Sequence, residues 1–190
     1  MTIRKVAQLG HPVLREKARP IEKEAIKSPA IQTLIDDMIQ TKEEYVGIGL
    51  AAPQVHEPLQ LIVVGLKDNP RYPDAEQVSL RIVINPKITG FSTDMDEDWE
   101  SCLSVDNLSG LVKRATQITV AGLDREGNDI EINAEGFEAR VYQHEIDHLH
   151  GKVFLDRMSD LKSLCFGKEF SKFAKLYEPE EEAGDEEQGL

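Results

Sequence analysis

Apolar residues at Ile31, Leu34, Ile35, Met38, Ile39 and Tyr45 recur at the spacing of one helical face. Pro29 opens that helix at a position where its missing N–H leaves no bond unmade, and Gly47 and Gly49 end it. The period then changes. Leu59 to Leu66 is β-branched and almost wholly apolar, which predicts a buried strand, and Arg81 to Asn85 predicts a second one stopped by Pro86. Between them Asp68 to Gln77 is a polar loop with two prolines. Gln117–Leu123 and Ile130–Asn133 form a hairpin across residues 124–129, and Phe137–Leu149 is a second helix closed by His150-Gly151. A third helix is expected from about Leu161 to Tyr177, with Phe166, Phe170, Phe173 and Tyr177 on one face packed against the body and Cys165 inside it. Residues 1–28 are irregular, broken at Gly10-His11-Pro12 and Arg19-Pro20. No repeat and no interdomain linker interrupts this order, which reads as an α+β fold with a mostly antiparallel sheet.

Composition changes this picture at one end. The 190 residues carry 22 Lys+Arg against 35 Asp+Glu, a formal charge of −13. Seven of the acids lie in residues 178–190, which hold no base, so residues 1–177 keep 28 acids against 22 bases, a balance of −6. The expected organisation is therefore one folded domain over 1–177 and an acidic tail over 178–190 with the composition of a disordered segment. An acidic chain argues against general nucleic-acid binding and no specific DNA partner is expected. No apolar run approaches the roughly 20 residues of a membrane span, and Met1–Gln8 lacks the apolar segment of a secretory signal. Two cysteines do not make a disulfide framework, so a reducing, cytoplasmic setting is the expectation.

The strongest chemical signal is His144-Glu145-Ile146-Asp147-His148 on the second helix. Imidazoles at i and i+4 project from one face and can grip one metal ion, and Glu145 can reach a water there without ligating. A third ligand must come from elsewhere: His150, Asp156, Asp160 and Glu169 lie downstream, and Cys102 lies upstream in Trp99-Glu100-Ser101-Cys102-Leu103-Ser104-Val105. Thiolate suits zinc or ferrous iron. Gly47-Ile48-Gly49-Leu50-Ala51-Ala52-Pro53-Gln54 allows close backbone approach, and the Gln54 amide can face a developing oxyanion.

These three segments, in this order, resemble the peptide deformylase family, which removes the formyl group from nascent N-formylmethionyl chains. Gly10-His11-Pro12-Val13-Leu14-Arg15 is similar to its N-terminal signature, and the likeness spans about residues 3–160. The resemblance implies an antiparallel sheet around a central metal-binding helix, with a C-terminal helix. It implies one divalent ion, Fe²⁺ with Zn²⁺ as the other ion the ligands suit, held by Cys102, His144 and His148. Glu145 would be the general base; the Gln54 side chain and the Leu103 N–H would face the oxyanion. Ile48 and Gly49 would border the substrate, and Ile48, Leu103, Phe137 and Val141 would line the methionine pocket. Glu100 and Arg114 look like a supporting ion pair, of a kind that contributes little when exposed. The implied partners are nascent N-formylmethionyl polypeptides, with transient ribosome contact.

The chain departs from the family pattern at three positions: Ser101 stands for the usual glycine, Asp106 for a proline, and Ser109 for a substrate-facing arginine. All three are expected on the loop bordering the substrate, where they bear on affinity rather than on reaction type. Two rival readings remain open at this point. One is a His-Glu-x-x-His zinc endopeptidase with a downstream third ligand. The other is a deformylase-like metal-binding protein with altered or lost activity.

Overall fold

The computed structural model describes residues 2–67 and 77–173. The first helix, α1 (Pro29–Glu44), starts where expected, with Ser28 Oγ accepting the Ile31 N–H. Its Leu34, Ile35 and Met38 enter an apolar cluster with Leu50, Leu61, Val63 and Ile84. The second helix, α2 (Gly136–Leu149), sends Tyr142, Ile146 and Leu149 into another cluster with Ile62, Val64, Val83, Ile118 and Val120. Strand β2 (Leu61–Leu66) is thereby buried on both faces, odd residues toward α1 and even residues toward α2. That double burial is why its sequence is a continuous apolar run and not an alternation.

Around β2, strands β1 (Gly49–Ala51), β3 (Val78–Phe91), β6 (Gln117–Leu123) and β7 (Asp129–Glu135) complete a five-stranded sheet in the order β1-β2-β3-β6-β7, antiparallel at every pair. A second sheet has the order β4-β5-β8, from β4 (Met95–Cys102), β5 (Val105–Ala115) and β8 (Cys165–Phe166). The α+β, mostly antiparallel architecture holds. Among the described residues no helix is long and apolar enough to cross a membrane.

Three local expectations need correction. Pro86 does not stop its strand: β3 runs on to Phe91 through a bulge between Ile84 and Lys87. Asn85 takes φ 52° there, and its side chain bonds both the N–H and the carbonyl of Ile21 at 2.8 Å, so Pro86 has no ladder bond to break. The last helix starts later than expected: α3 is described over Gly167–Phe173, and Cys165 and Phe166 lie in β8, paired with Ser109 and Leu108. The open edge of β5 supplies backbone partners that a helix over these residues would leave unused. The acid-rich β4–β5 hairpin was not legible, because Met95–Asp98 shows no apolar alternation. The expected loop at residues 68–76, the end of the third helix and the acidic tail lie outside the described residues.

Candidate metal centre and active site

Helix α2 is the second helix of the sequence reading almost residue for residue, and it carries His144, Glu145 and His148. Cys102 is delivered by the end of β4, where the register slips between Ser101 and Cys102 and the chain turns through Leu103-Ser104. The N-terminal segment clamps that turn: Leu9 N–H donates to the Ser104 carbonyl at 2.7 Å, and Gln8 Nε2 to the Leu103 carbonyl at 3.1 Å.

The Cys102 Sγ, His144 and His148 ligand atoms lie within 4.8 Å of one another, the one such group among the described residues. Sγ is 3.3 Å from His148 Nε2. Tetrahedral thiolate and imidazole ligands around one ion sit about 3.4–3.6 Å apart, so the spacing fits a shared metal. Glu145 Oε2 is buried without a hydrogen-bond partner, as is His148 Nδ1. An orphaned carboxylate oxygen beside three converging ligands is what an ion and its water would satisfy. The four downstream ligand candidates are engaged elsewhere. His150 Nδ1 bonds the Ile146 carbonyl, Asp156 takes Arg15 and the Val153 N–H, Asp160 accepts the Lys162 N–H, and Glu169 pairs with Lys172.

Behind the ligands lies a charged network that the sequence underrated. Glu100 and Arg114 form a buried, two-pronged pair at 2.8 and 3.0 Å, not an exposed one. Glu100 also accepts Arg140 Nη1 at 3.1 Å and meets His144 Nδ1 at 2.8 Å, which turns Nε2 of that ring toward the ligand cluster. Arg114 bridges onward to Asp147, which takes Arg157 as well. Burial opposes charge on Glu100, but Arg114 and His144 more than offset it and hold the carboxyl well below the usual range. Burial likewise opposes ionisation of Cys102, and the charge of His148 with hydrogen bonds from both histidines outweighs it, favouring thiolate. Glu145 moves the other way: burial raises its pKa to about 7 despite the nearby histidines. A cation held by the three ligands acts against that rise. Arg140 and Asp147 were missed as contributors; their signal was position, at i−4 from His144 and i−1 from His148 on the ligand helix.

The remaining site residues converge on one cleft. Ile48, Gly49, Gln54, Ser101, Cys102, Leu103, Phe137, Val141, His144 and Glu145 line it, joined by Trp99 and Arg140. Gln54 accepts the Ala51 N–H on Oε1 at 2.7 Å, so its NH₂ is committed to the other side, 3.3 Å from Ser104 Oγ and 3.5 Å from Cys102 Sγ. Gly49 lies so close to Glu145 that a Cβ there would fall 2.6 Å from Glu145 Cγ. Of the three departures from the family pattern only Ser101 lines the cleft. Asp106 and Ser109 belong to β5, and Ser109 is buried at 8 % exposure beside β8, which corrects their placement on a substrate-bordering loop.

The comparisons agree with this geometry. Residues 3–164 match the family described as Polypeptide deformylase. The chain is 45 % identical over 159 residues to "Peptide deformylase 1" of Bordetella pertussis, covering 84 % of this chain and 89 % of that one. Identity to "Peptide deformylase 1" of Nitrosomonas europaea is 41 % over 164 residues, covering 86 % and 92 %. Among solved structures, a class I type b peptide deformylase of Acinetobacter baumannii bound to Met-Ala-Ser superposes with TM-score 0.80 at 38 % identity, covering 83 % of this chain and 99 % of that one. A Legionella pneumophila peptide deformylase gives 0.73 at 37 %, covering 93 % and 98 %.

Proposed function

The chain belongs to the polypeptide deformylase family, metal-dependent hydrolases that take the formyl group off N-terminal methionine, and we propose how its own residues divide that work. Cys102, His144 and His148 hold one divalent ion, Fe²⁺ in the cell, with Zn²⁺ also suited to a thiolate–imidazole set. Such an ion, when bound, polarises the substrate oxygen and makes water acidic enough to attack near neutral pH.

The substrate is a nascent N-formylmethionyl polypeptide. Its methionine side chain lies against Ile48, Leu103, Phe137 and Val141, while the Gly49 backbone, left bare of a side chain, flanks the reacting group. Glu145 takes a proton from the attacking water. Gln54 Nε2 and the Leu103 N–H donate to the oxygen of the former formyl carbonyl as it gains charge; one such donor is worth about 3 kcal/mol in the transition state. Glu145 then returns the proton to the methionine nitrogen as the C–N bond breaks and formate leaves. Glu100 fixes the orientation of His144. Residues 1–177 act as one catalytic unit in the cytoplasm, in transient contact with the ribosome from which substrates emerge.

The observation that carries this reading is the orphaned Glu145 carboxylate beside three converging ligands. Formate release from formyl-Met-Ala-Ser by anaerobically purified, Fe²⁺-loaded protein tests it. Absence of formate from protein with stoichiometric metal would overturn it.

A further inference from the structure

The C-terminal strand and helix lie outside the catalytic constellation yet touch its wall. Along β4, Glu100 points into the buried ion network, which puts Trp99 and Ser101 on the opposite face. Both line the cleft, as Glu100 also does. The Phe170 ring, from α3, packs on Trp99 with ring centroids 4.6 Å apart and planes at 57°. The segment bearing Phe170 is fastened to the same hairpin by β8, which pairs with Leu108 and Ser109, and by Ser163 Oγ, which accepts the Leu111 N–H at 3.1 Å.

The cleft residues left over once the reaction is assigned are few. The reacting group occupies the neighbourhood of Cys102, His144 and Glu145, and the methionine side chain the apolar patch of Ile48, Phe137 and Val141. Trp99 belongs to neither and sits three residues before Cys102 on an extended strand, about 10 Å of backbone away. An extended peptide covers that distance in about three residues. We propose that Phe170 is a positioning residue for substrate binding: it holds the Trp99 indole against the cleft and so sets affinity for the peptide beyond methionine. The proposal rests on the deformylase reading and deepens it.

Trp99 is the one tryptophan of the chain, so the protein's indole fluorescence comes from this position. The test uses the full-length, metal-loaded protein with Phe170→Ala and the conservative Phe170→Tyr. With formyl-Met-Ala-Ser, Phe170→Ala is expected to raise KM about 3- to 10-fold, the range one aromatic pair is worth. Its kcat should stay within about 2-fold, since Phe170 touches no reacting atom. The indole emission should shift to the red and become more accessible to acrylamide, and Phe170→Tyr should restore both emission and KM. With formylmethionine amide, which lacks the later residues, the KM change should vanish. A shifted emission with unchanged KM, or a parallel loss of kcat that Phe170→Tyr does not rescue, overturns the proposal. A wild-type protein that releases no formate sinks the deformylase reading itself, which separates the two failures.

Discussion

Gly49→Ala is the sharpest probe of the catalytic geometry, because it adds one methyl and removes no functional group. The new Cβ would lie 2.6 Å from Glu145 Cγ and 2.7 Å from Cδ, where carbon pairs normally rest at about 3.5–4.0 Å. Glu145 must therefore retreat by roughly 1 Å. Its terminal torsion alone cannot relieve the clash, since Cγ sits only two bonds from the α2 backbone. The backbone on either side is held as well: β1 is fully buried and paired with β2 over all three of its residues, and Glu145 is only 4 % exposed. A displacement of about 1 Å at a catalytic group costs on the order of 10²-fold in rate. Overpacking of this kind also destabilises by about 1–3 kcal/mol. We expect kcat/KM on formyl-Met-Ala-Ser to fall about 100-fold while metal content stays stoichiometric. Gly47→Ala is the matched control, because the nearest atom to its Cβ is the end of the Leu103 side chain, at 3.0 Å. It should stay within a few-fold of wild type. Formate release measured beside elemental analysis decides the matter: a metal-replete Gly49→Ala protein with near wild-type kcat/KM would show that Glu145 is not held where the reaction needs it.

Glu145→Gln should keep the metal, by elemental analysis, and lose roughly 10²–10⁴-fold in kcat, because the amide preserves shape but accepts no proton; activity near wild type would assign the base elsewhere. The Cys102→Ala, His144→Ala double variant should purify without bound metal, and near-stoichiometric metal in it would refute the ligand set. Ser109→Arg should lower Tm rather than KM, since the new side chain must enter a buried position beside β8; an unchanged Tm with a lower KM would place residue 109 against the substrate. Deleting residues 179–190 removes six acids and should leave kcat on a short formyl-peptide unchanged while tightening ribosome binding at low salt, through lost like-charge repulsion. Binding that does not change across a salt titration would make the segment a passive one.

What the sequence by itself determined was local and periodic. The face of α1, the apolar run of β2, the β6–β7 hairpin and the His144/His148 spacing are each set by neighbours within a turn or a strand, so each was legible without a fold. The resemblance in three short motifs then joined Cys102 and Gln54 to the histidines, a step that spacing alone left open among five third-ligand candidates. What only the tertiary structure decided depends on contacts between residues far apart in the chain. Glu100 and Arg114 look like any surface pair until the β4–β5 hairpin folds over α2 and buries them with Asp147 and Arg140. Pro86 reads as a strand end until Asn85 finds Ile21, 64 residues away, and turns the break into a bulge. Cys165 and Phe166 read as helix until the edge of β5 offers them hydrogen bonds. In each case the local preference is worth less than the burial or backbone pairing that a distant segment supplies, and that segment's position is not written near the residue it overrides.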